Sequence, residues 1–196
     1  MFAELLAERL KGALSLSAEQ LAALEAHYEL LKCWNQTLNL TRIDNLPEAV
    51  ERHYCESLFL GAHLPPGSLR IADIGSGGGF PGLPVAVLRP DCAVTLIESH
   101  QRKAVFLKEA SRELKNVRVV AKRAEEVRES FDVLISRAVS YDDLARPLKI
   151  LAERAVLLTG EEDPPAKMKF QWQDPILLPW GDHRYLRVGS TSGGFA

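Results

Sequence analysis

The chain reads Asp73-Ile74-Gly75-Ser76-Gly77-Gly78-Gly79-Phe80-Pro81-Gly82 where a short apolar strand gives way to a predicted helix. Glycine has no Cβ, so the backbone of such a stretch can adopt positive φ angles and approach a ligand closely. Free N–H groups at the start of the following helix then face a negatively charged group. This stretch, called the glycine loop below, therefore predicts a site for a ligand that carries a carboxylate or a phosphate.

An acidic residue, Glu98, closes the second predicted strand about 20 residues beyond the glycine loop, where doubly wound folds hold ribose hydroxyls. The loop itself fits two cofactor patterns. Gly77-x-Gly79-x-x-Gly82 satisfies the dinucleotide fingerprint, whereas Asp73-x-Gly75-x-Gly77 is the methyltransferase pattern. Pro81 and Pro84 flank the last glycine and remove two N–H donors from the helix start, which favours the methyltransferase pattern.

Short apolar strands and helical segments alternate from residue 69 onward. The predicted strands are 70–74, 93–98, 117–121, 133–136 and 155–159, and the predicted helices are 81–88, 101–114, 124–128 and 142–151. This alternation predicts an α/β fold with a central, mostly parallel sheet and helices on both faces. The tail adds predicted strands at 168–173, 176–178 and 185–188.

Helices are predicted to precede the sheet. Segment 2–10 has apolar residues at helical spacing, and Ser17 with Gln20 forms a capping box before a helix over 18–34. Pro47 stands at a first helical position ahead of a helix over 48–63, which ends at 64–67. We therefore predict an N-terminal helical cap over 1–66 and a cofactor-binding core over 67–196, integrated as one domain.

The composition limits the function classes. The 196 residues carry a net charge of -2, so any nucleic-acid surface must be local. Three widely separated cysteines with no C-x-x-C pair predict reduced thiols and no metal site. No apolar run approaches the roughly 20 residues of a membrane span, and segment 2–14 is not a signal peptide. We expect a cytoplasmic monomer.

Two levels of resemblance follow from these motifs. The glycine loop with Glu98 resembles the first two motifs of class I methyltransferases, which are Rossmann-like and bind S-adenosylmethionine. A second set of motifs comprises 75–84, Arg102-Lys103 with Phe106-Leu107, Ile135-Ser136-Arg137-Ala138, Asn39-Leu40-Thr41 and Arg52-His53. In these motifs the chain resembles the RsmG (GidB) family, which methylates N7 of guanine 527 in 16S ribosomal RNA.

The family resemblance also implies roles for individual residues. Gly75, Gly77 and Phe80 would line the methionine and ribose side of the cofactor, and Glu98 would hold the ribose. Ala124-Glu125 would meet the adenine, and Arg137 would lie at the cofactor edge. RNA, either 16S ribosomal RNA or the small subunit, would contact Arg52 and His53.

This chain departs from the family pattern at three places. Glu56 stands where the family usually has Asp, and Thr159 stands where a Lys commonly precedes the residue equivalent to Gly160. The 160–167 connection is also short. These departures bear on substrate affinity.

Methyl transfer to guanine N7 requires the protein mainly to align N7 with the methyl group. N7 has an in-plane lone pair and no proton to lose, and the sulfonium methyl is already activated, so no catalytic acid or base is expected. Arg102 and Lys103 follow the Glu98 loop directly, which predicts that they bind RNA near the cofactor mouth. Phe80 either stacks on a base or packs internally.

Three other functions fit parts of the sequence. A small-molecule methyltransferase would keep the cofactor loop but need a closed apolar pocket under the N-terminal helices. A nicotinamide-dependent oxidoreductase would use the dinucleotide pattern, and a nucleotide-binding module would use the loop without catalysis. Binding of S-adenosylhomocysteine or of NAD distinguishes the cofactor classes.

Overall fold

The computed structural model describes residues 1–168 and 170–191. A central sheet organises this part of the chain. Its strands are β1 Arg70–Ile74, β2 Ala93–Ile97, β3 Val117–Val120, β4 Val133–Arg137, β5 Arg154–Thr159, β6 Gln171–Trp172, β7 Ile176–Leu177 and β8 Tyr185–Ser190. Their order is β3-β2-β1-β4-β5-β8-β6, with β7 also paired to β8. The mostly parallel Rossmann-like sheet is confirmed.

The strand order reverses between β1 and β4, which pair in parallel with Asp73 opposite Ile135. In open α/β sheets, ligands bind at such a switch point, outside the carboxyl ends of the strands. Strands β2 and β3 lie on one side of this point, and β4 and β5 on the other. The antiparallel strand β8 then pairs with β5.

Helices flank the strands along the chain. They are α1 Phe2–Arg9, α2 Ala18–Leu38, α3 Leu46–Ala49, α4 Glu56–Ala62, α5 Gly82–Leu88, α6 Gln101–Ala110 and α7 Tyr141–Leu151. A π-helical turn, Val50–Cys55, joins α3 to α4 without a break. The capping box of α2 is confirmed, since the Ser17 hydroxyl accepts from the Gln20 N–H and the Gln20 side chain accepts from the Ser17 N–H.

Alternate residues of each strand serve two cores. Ile71, Leu96 and Ile135 pack with the helices of the N-terminal segment and with α5 and α6. Ala72 and Leu134 point to the other face and pack with α7. Parallel strands that are buried on both faces have such continuous apolar sequences. Because residues 1–66 share the first core with the sheet, the boundary at residue 66 stays a prediction.

Several predicted elements differ from the observed ones. The helix predicted over 101–114 ends at Ala110. The helix predicted over 124–128 is only the 3-10 turn Ala124–Glu126, because the residues on either side of this turn are extended. The strand over 168–173 shrinks to β6, since Met168 lies in the 3-10 turn Ala166–Met168; Lys169 lies outside the described residues. Within 1–168 and 170–191, no helix is long and apolar enough to cross a membrane.

Candidate functional site

The glycine loop leaves β1 at the switch point and bends toward the end of β2. The Gly75 N–H donates to the Ile97 carbonyl at 2.9 Å, and Gly75 has a φ of +72°. A Cβ at this position would lie 2.7 Å from Cγ2 of Val139, inside van der Waals contact. Glycine is therefore required here both by the backbone conformation and by the close approach of the segment that follows β4.

Glu98, the predicted ribose-binding residue, lies against this loop. Its Oε2 accepts from the Gly77 N–H at 2.9 Å, and its Oε1 accepts from the His100 N–H at 2.7 Å. The residue is 8% exposed. A carboxylate has about four lone-pair sites, so each oxygen retains acceptor capacity after these two bonds. The carboxylate thus fixes two loops at the sheet edge and can still accept ribose hydroxyls.

Asp73, on β1, forms two hydrogen bonds with residues of the glycine loop. Its Oδ2 accepts from the Gly82 N–H at 3.0 Å, and its main-chain oxygen accepts from the Ser76 hydroxyl at 3.1 Å. Oδ1 is buried without a hydrogen-bond partner among the described residues. Burial raises the pKa of Asp73 to about 7. This carboxyl group therefore ties the start of α5 to the end of β1.

A small cavity of about 230 Å³ opens beside the loop. It is lined by Gly75, Ala124 and Glu125, which the sequence assigns to the cofactor, and by apolar side chains of Ile74 and Ile97. The 3-10 turn after β3 brings Ala124 and Glu125 to this cavity. The structure therefore places three of the predicted cofactor residues around one space with a partly apolar wall, which suits a flat ring.

A larger cavity of about 920 Å³ lies on the β4–β5 side of the same edge. Val139 lines both cavities, which are thus neighbours. Arg52, Arg137 and Arg184 line the larger cavity, and the acidic segment 161–163 also borders it. Its walls therefore carry charged side chains of both signs.

The three arginines differ in their partners. Arg137 donates to the Arg52 carbonyl, and its guanidinium lies 5.2 Å from the centroid of the Phe80 ring. Burial lowers the pKa of Arg137 to about 10, so it remains charged at neutral pH. Arg52 pairs with Glu48 at 3.1 Å, and Arg184 makes a bidentate pair with Glu56. Arg184 has no local sequence signal for this position, because only the pairing of β8 with β5 brings it to this edge.

Two predicted site residues lie in the interior. His53 is 4% exposed and stacks on Phe80 with 4.5 Å between ring centroids, while its Nε2 lies 2.7 Å from the Thr41 hydroxyl. Burial, with the nearby Arg137 charge, lowers the pKa of His53 to about 2. A direct RNA contact by His53 does not fit this position. Phe80 is likewise buried, lines neither cavity above and packs internally.

The predicted basic residues Arg102 and Lys103 lie in the first turn of α6, just beyond Glu98. Arg102 is exposed and Lys103 partly exposed. Among the described residues, neither forms an ion pair. Lys122 and Arg123 line the small cavity nearby. The exposed charges on the β2–β3 side are therefore free to meet a polyanion.

The chain is similar in sequence to a known family of proteins. The family model described as rRNA small subunit methyltransferase G matches residues 20–157. The Ribosomal RNA small subunit methyltransferase G of Chromobacterium violaceum is 37% identical over 173 residues, which cover 86% of this chain and 80% of that protein. The protein of the same name from Nitrosococcus oceani is 40% identical over 158 residues, covering 76% and 73%.

Solved structures share the fold at low identity. A putative RNA methyltransferase from Pyrococcus horikoshii superposes with a TM-score of 0.62 at 13% identity, covering 90% of this chain and 100% of that one. A SAM-dependent methyltransferase from Aquifex aeolicus has a TM-score of 0.59 at 13% identity, covering 79% and 97%. These likenesses show a class I methyltransferase fold.

Proposed function

The chain belongs to the rRNA small subunit methyltransferase G family and is therefore a methyltransferase of 16S ribosomal RNA; we propose that it transfers the methyl group of S-adenosylmethionine to N7 of guanine 527. The observation that carries the cofactor assignment is the hydrogen bond from Gly77 to Glu98, which joins the loop after β1 to the end of β2. This bond sets a ribose-binding carboxylate against a loop whose glycines leave space for a ligand.

The residues present fit S-adenosylmethionine. Gly75, Gly77 and the loop backbone would border the methionine and ribose, the free lone pairs of Glu98 would accept ribose hydroxyls, and Ala124 with Glu125 would border the adenine. A Cβ at Gly75 would close part of this space, as its 2.7 Å approach to Val139 indicates. When bound, this cofactor supplies an activated methyl group.

The protein's own part in the reaction is alignment. Guanine N7 needs no deprotonation, so the residues of the site have only to orient the base and exclude competing geometries. Arg137, at the end of β4, would lie between cofactor and substrate. On the large-cavity side, Arg52 and Arg184 would meet RNA, and on the other side Arg102 and Lys103 would contact phosphates. The enzyme would work in the cytoplasm as a monomer.

Methyl transfer from labelled S-adenosylmethionine to 16S transcripts and to small subunits tests this proposal, with the modified base located by chain cleavage at N7-methylguanine. We expect one methyl group, at guanine 527. Glu98→Gln replaces one acceptor oxygen by a donor that faces an N–H, and it should weaken S-adenosylhomocysteine binding at least about tenfold. Glu126→Gln, an exposed change at the same sheet edge, is the control. Label on another base, or binding of NAD in place of S-adenosylhomocysteine, would overturn the proposal.

A further inference from the structure

A buried histidine of the N-terminal helices contacts the glycine loop. His27 lies within α2 and is 6% exposed. Its Nε2 lies 3.0 Å from the Gly78 carbonyl oxygen, and its Nδ1 lies 3.0 Å from the Tyr54 hydroxyl. Tyr54 belongs to the π-helical turn and is fully buried. A chain of two hydrogen bonds thus joins two N-terminal elements to the centre of the loop.

The direction of both bonds follows from their chemistry. A carbonyl oxygen can only accept, so the Nε2 of His27 carries the proton and donates to Gly78. Burial lowers the pKa of His27 to about 4, so the ring is neutral near pH 7 and has a single N–H. Nδ1 must then accept from the Tyr54 hydroxyl. Tyr54 therefore selects the tautomer of His27 that can hold the loop.

The Gly78 carbonyl is a sensitive point of the loop. Gly77 and Gly79 have φ angles of +54° and +93°, so Gly78 lies between two residues in a conformation that residues with a Cβ rarely adopt. The Gly77 N–H is the group that bonds Glu98. Fixing the Gly78 carbonyl therefore restricts the rotation of the segment that presents Gly77 to Glu98.

Aromatic rings pack against one part of the His27 ring, and a cavity borders another. Phe80 and Phe106 lie 5.2 and 6.1 Å from its centroid, and Tyr54 lies 5.7 Å away. A Cβ on Gly79 would come within 3.1 Å of Nε2. A cavity of about 350 Å³ borders the other side of His27, so the ring has space to leave the loop if the bond to Gly78 is lost.

We propose that His27 is a positioning residue for the methyl-transfer reaction, which holds the glycine loop in its cofactor-binding conformation and is itself oriented by Tyr54. The inference rests on the proposed cofactor site. It makes the N-terminal helices part of that site, although they need not touch the cofactor. The expected consequence is that the tautomer of one buried ring sets cofactor affinity and leaves RNA affinity unchanged.

Two amide variants separate this role from simple packing. The Gln amide nitrogen reaches about as far as Nε2, so His27→Gln keeps a donor for Gly78, whereas the shorter His27→Asn reaches only about as far as Nδ1. We expect His27→Asn to weaken S-adenosylhomocysteine binding about tenfold and His27→Gln by less than about threefold. The KM for S-adenosylmethionine should rise in parallel, with RNA affinity unchanged.

Tyr54→Phe tests the second bond with a nearly isosteric change and so does not depend on the stability of the His27 variants. It should weaken S-adenosylhomocysteine binding about threefold to tenfold. Tyr28→Phe, a partly matched control next to His27, removes a hydroxyl that makes no hydrogen bond among the described residues and should bind as the parent does.

Nitrogen-15 NMR of the His27 ring supplies a spectroscopic measurement. The parent protein should show the Nε2–H tautomer, and Tyr54→Phe should show a mixture of tautomers. An Nδ1–H tautomer in the parent, or equal S-adenosylhomocysteine affinities for the parent, His27→Asn and Tyr54→Phe proteins, would overturn the positioning role. A parent protein that fails to bind S-adenosylhomocysteine at all would instead overturn the proposed function.

Discussion

The ion pair between Glu56 and Arg184 gives a quantitative prediction. Glu56 is fully buried, and each of its oxygens accepts one guanidinium N–H at 2.5 Å. In Arg184→Met the carboxylate would lose both bonds while staying out of water. Removal of one partner from a buried ion pair costs about 3–5 kcal/mol, because the remaining charge is left uncompensated. Arg137 lies near enough to act on the carboxylate, so we expect about 3 kcal/mol.

The reverse change should cost less. The Arg184 side chain is 22% exposed, so in Glu56→Gln its charge can turn toward water. We expect a loss of about 1–2 kcal/mol for this variant. The double variant Glu56→Met with Arg184→Met removes both charges, and its loss should fall well short of the sum of the single losses.

Urea unfolding followed by circular dichroism measures these free energies. For a chain of this length, about 3 kcal/mol corresponds to a fall in Tm of roughly 6–12 °C. Glu56→Asp, which restores the residue usual in the family, shortens the side chain by one methylene and should weaken one of the two bonds. A loss below about 1 kcal/mol in Arg184→Met, or strict additivity in the double variant, would refute the reasoning.

Three further predictions concern the loop, a buried ring and the basic surface. Gly82→Ala places a Cβ 2.3 Å from the Leu96 side chain and should lower the free energy of unfolding by about 1–3 kcal/mol, as measured by urea unfolding. Gly160→Ala, which adds a Cβ in open space, should change this free energy little. The pKa of His27, lowered to about 4 from 6.5, means that the unfolded chain takes up a proton first as the pH falls. The contribution of His27 to the free energy of unfolding should therefore be fully present above pH 6.5 and be lost toward pH 4, by up to about 3 kcal/mol. The parent protein should accordingly lose more stability over this range than His27→Gln does in urea unfolding, and equal losses would contradict burial of a neutral ring. Lys103→Gln should flatten the salt dependence of RNA binding by about one unit and leave S-adenosylhomocysteine titrations unchanged; an unchanged slope would remove Lys103 from the RNA surface.

The sequence predicts the parallel part of the sheet because local signals are strong there. Strands β1, β2, β4 and β5 are buried on both faces, whereas β3 is a partly exposed edge strand. All five coincide with the predicted segments within about two positions. The short strands β6 and β7 are set by pairing with β8 and not by their own residues. The π-helical turn has no sequence signature, so one continuous helix is predicted where three segments exist.

The predictable part of the site is the part built within one segment or between neighbouring strand ends. Gly75, Gly77 and Glu98 meet because β1 and β2 are adjacent and parallel. Arg184 and Glu56 are 128 residues apart, and no local pattern predicts their contact. The His27 contact with the loop, 51 residues away, is equally non-local. Polar residues that act through distant partners are therefore the ones that sequence reasoning misses.

The Arg52-His53 pair shows that a family motif does not by itself predict which way each side chain points. Successive residues of an α-helix point about 100° apart, and π-helical turns also separate them widely. Arg52 consequently faces the large cavity, whereas the ring of His53 points inward and stacks on Phe80. The two adjacent residues therefore have different roles. Arg52 lies at the surface of the large cavity, and His53 packs on Phe80 and so supports the glycine loop from the side of the helices.

The departure at Thr159 has a structural counterpart on β8. The Thr159 hydroxyl accepts from Nε of Arg187 at 3.0 Å, and Arg187 also donates to the Glu161 carbonyl and pairs with Asp163 at 2.8 Å. The Tyr141 hydroxyl donates to the carbonyl of Glu162. These bonds anchor the short 160–167 connection at the large cavity. A guanidinium thus lies beside the position where the family commonly has Lys, but Arg187 is almost fully buried and its charge is balanced by Asp163. Arg187 therefore holds the connection in place and is not a free, exposed cation as a Lys at position 159 could be.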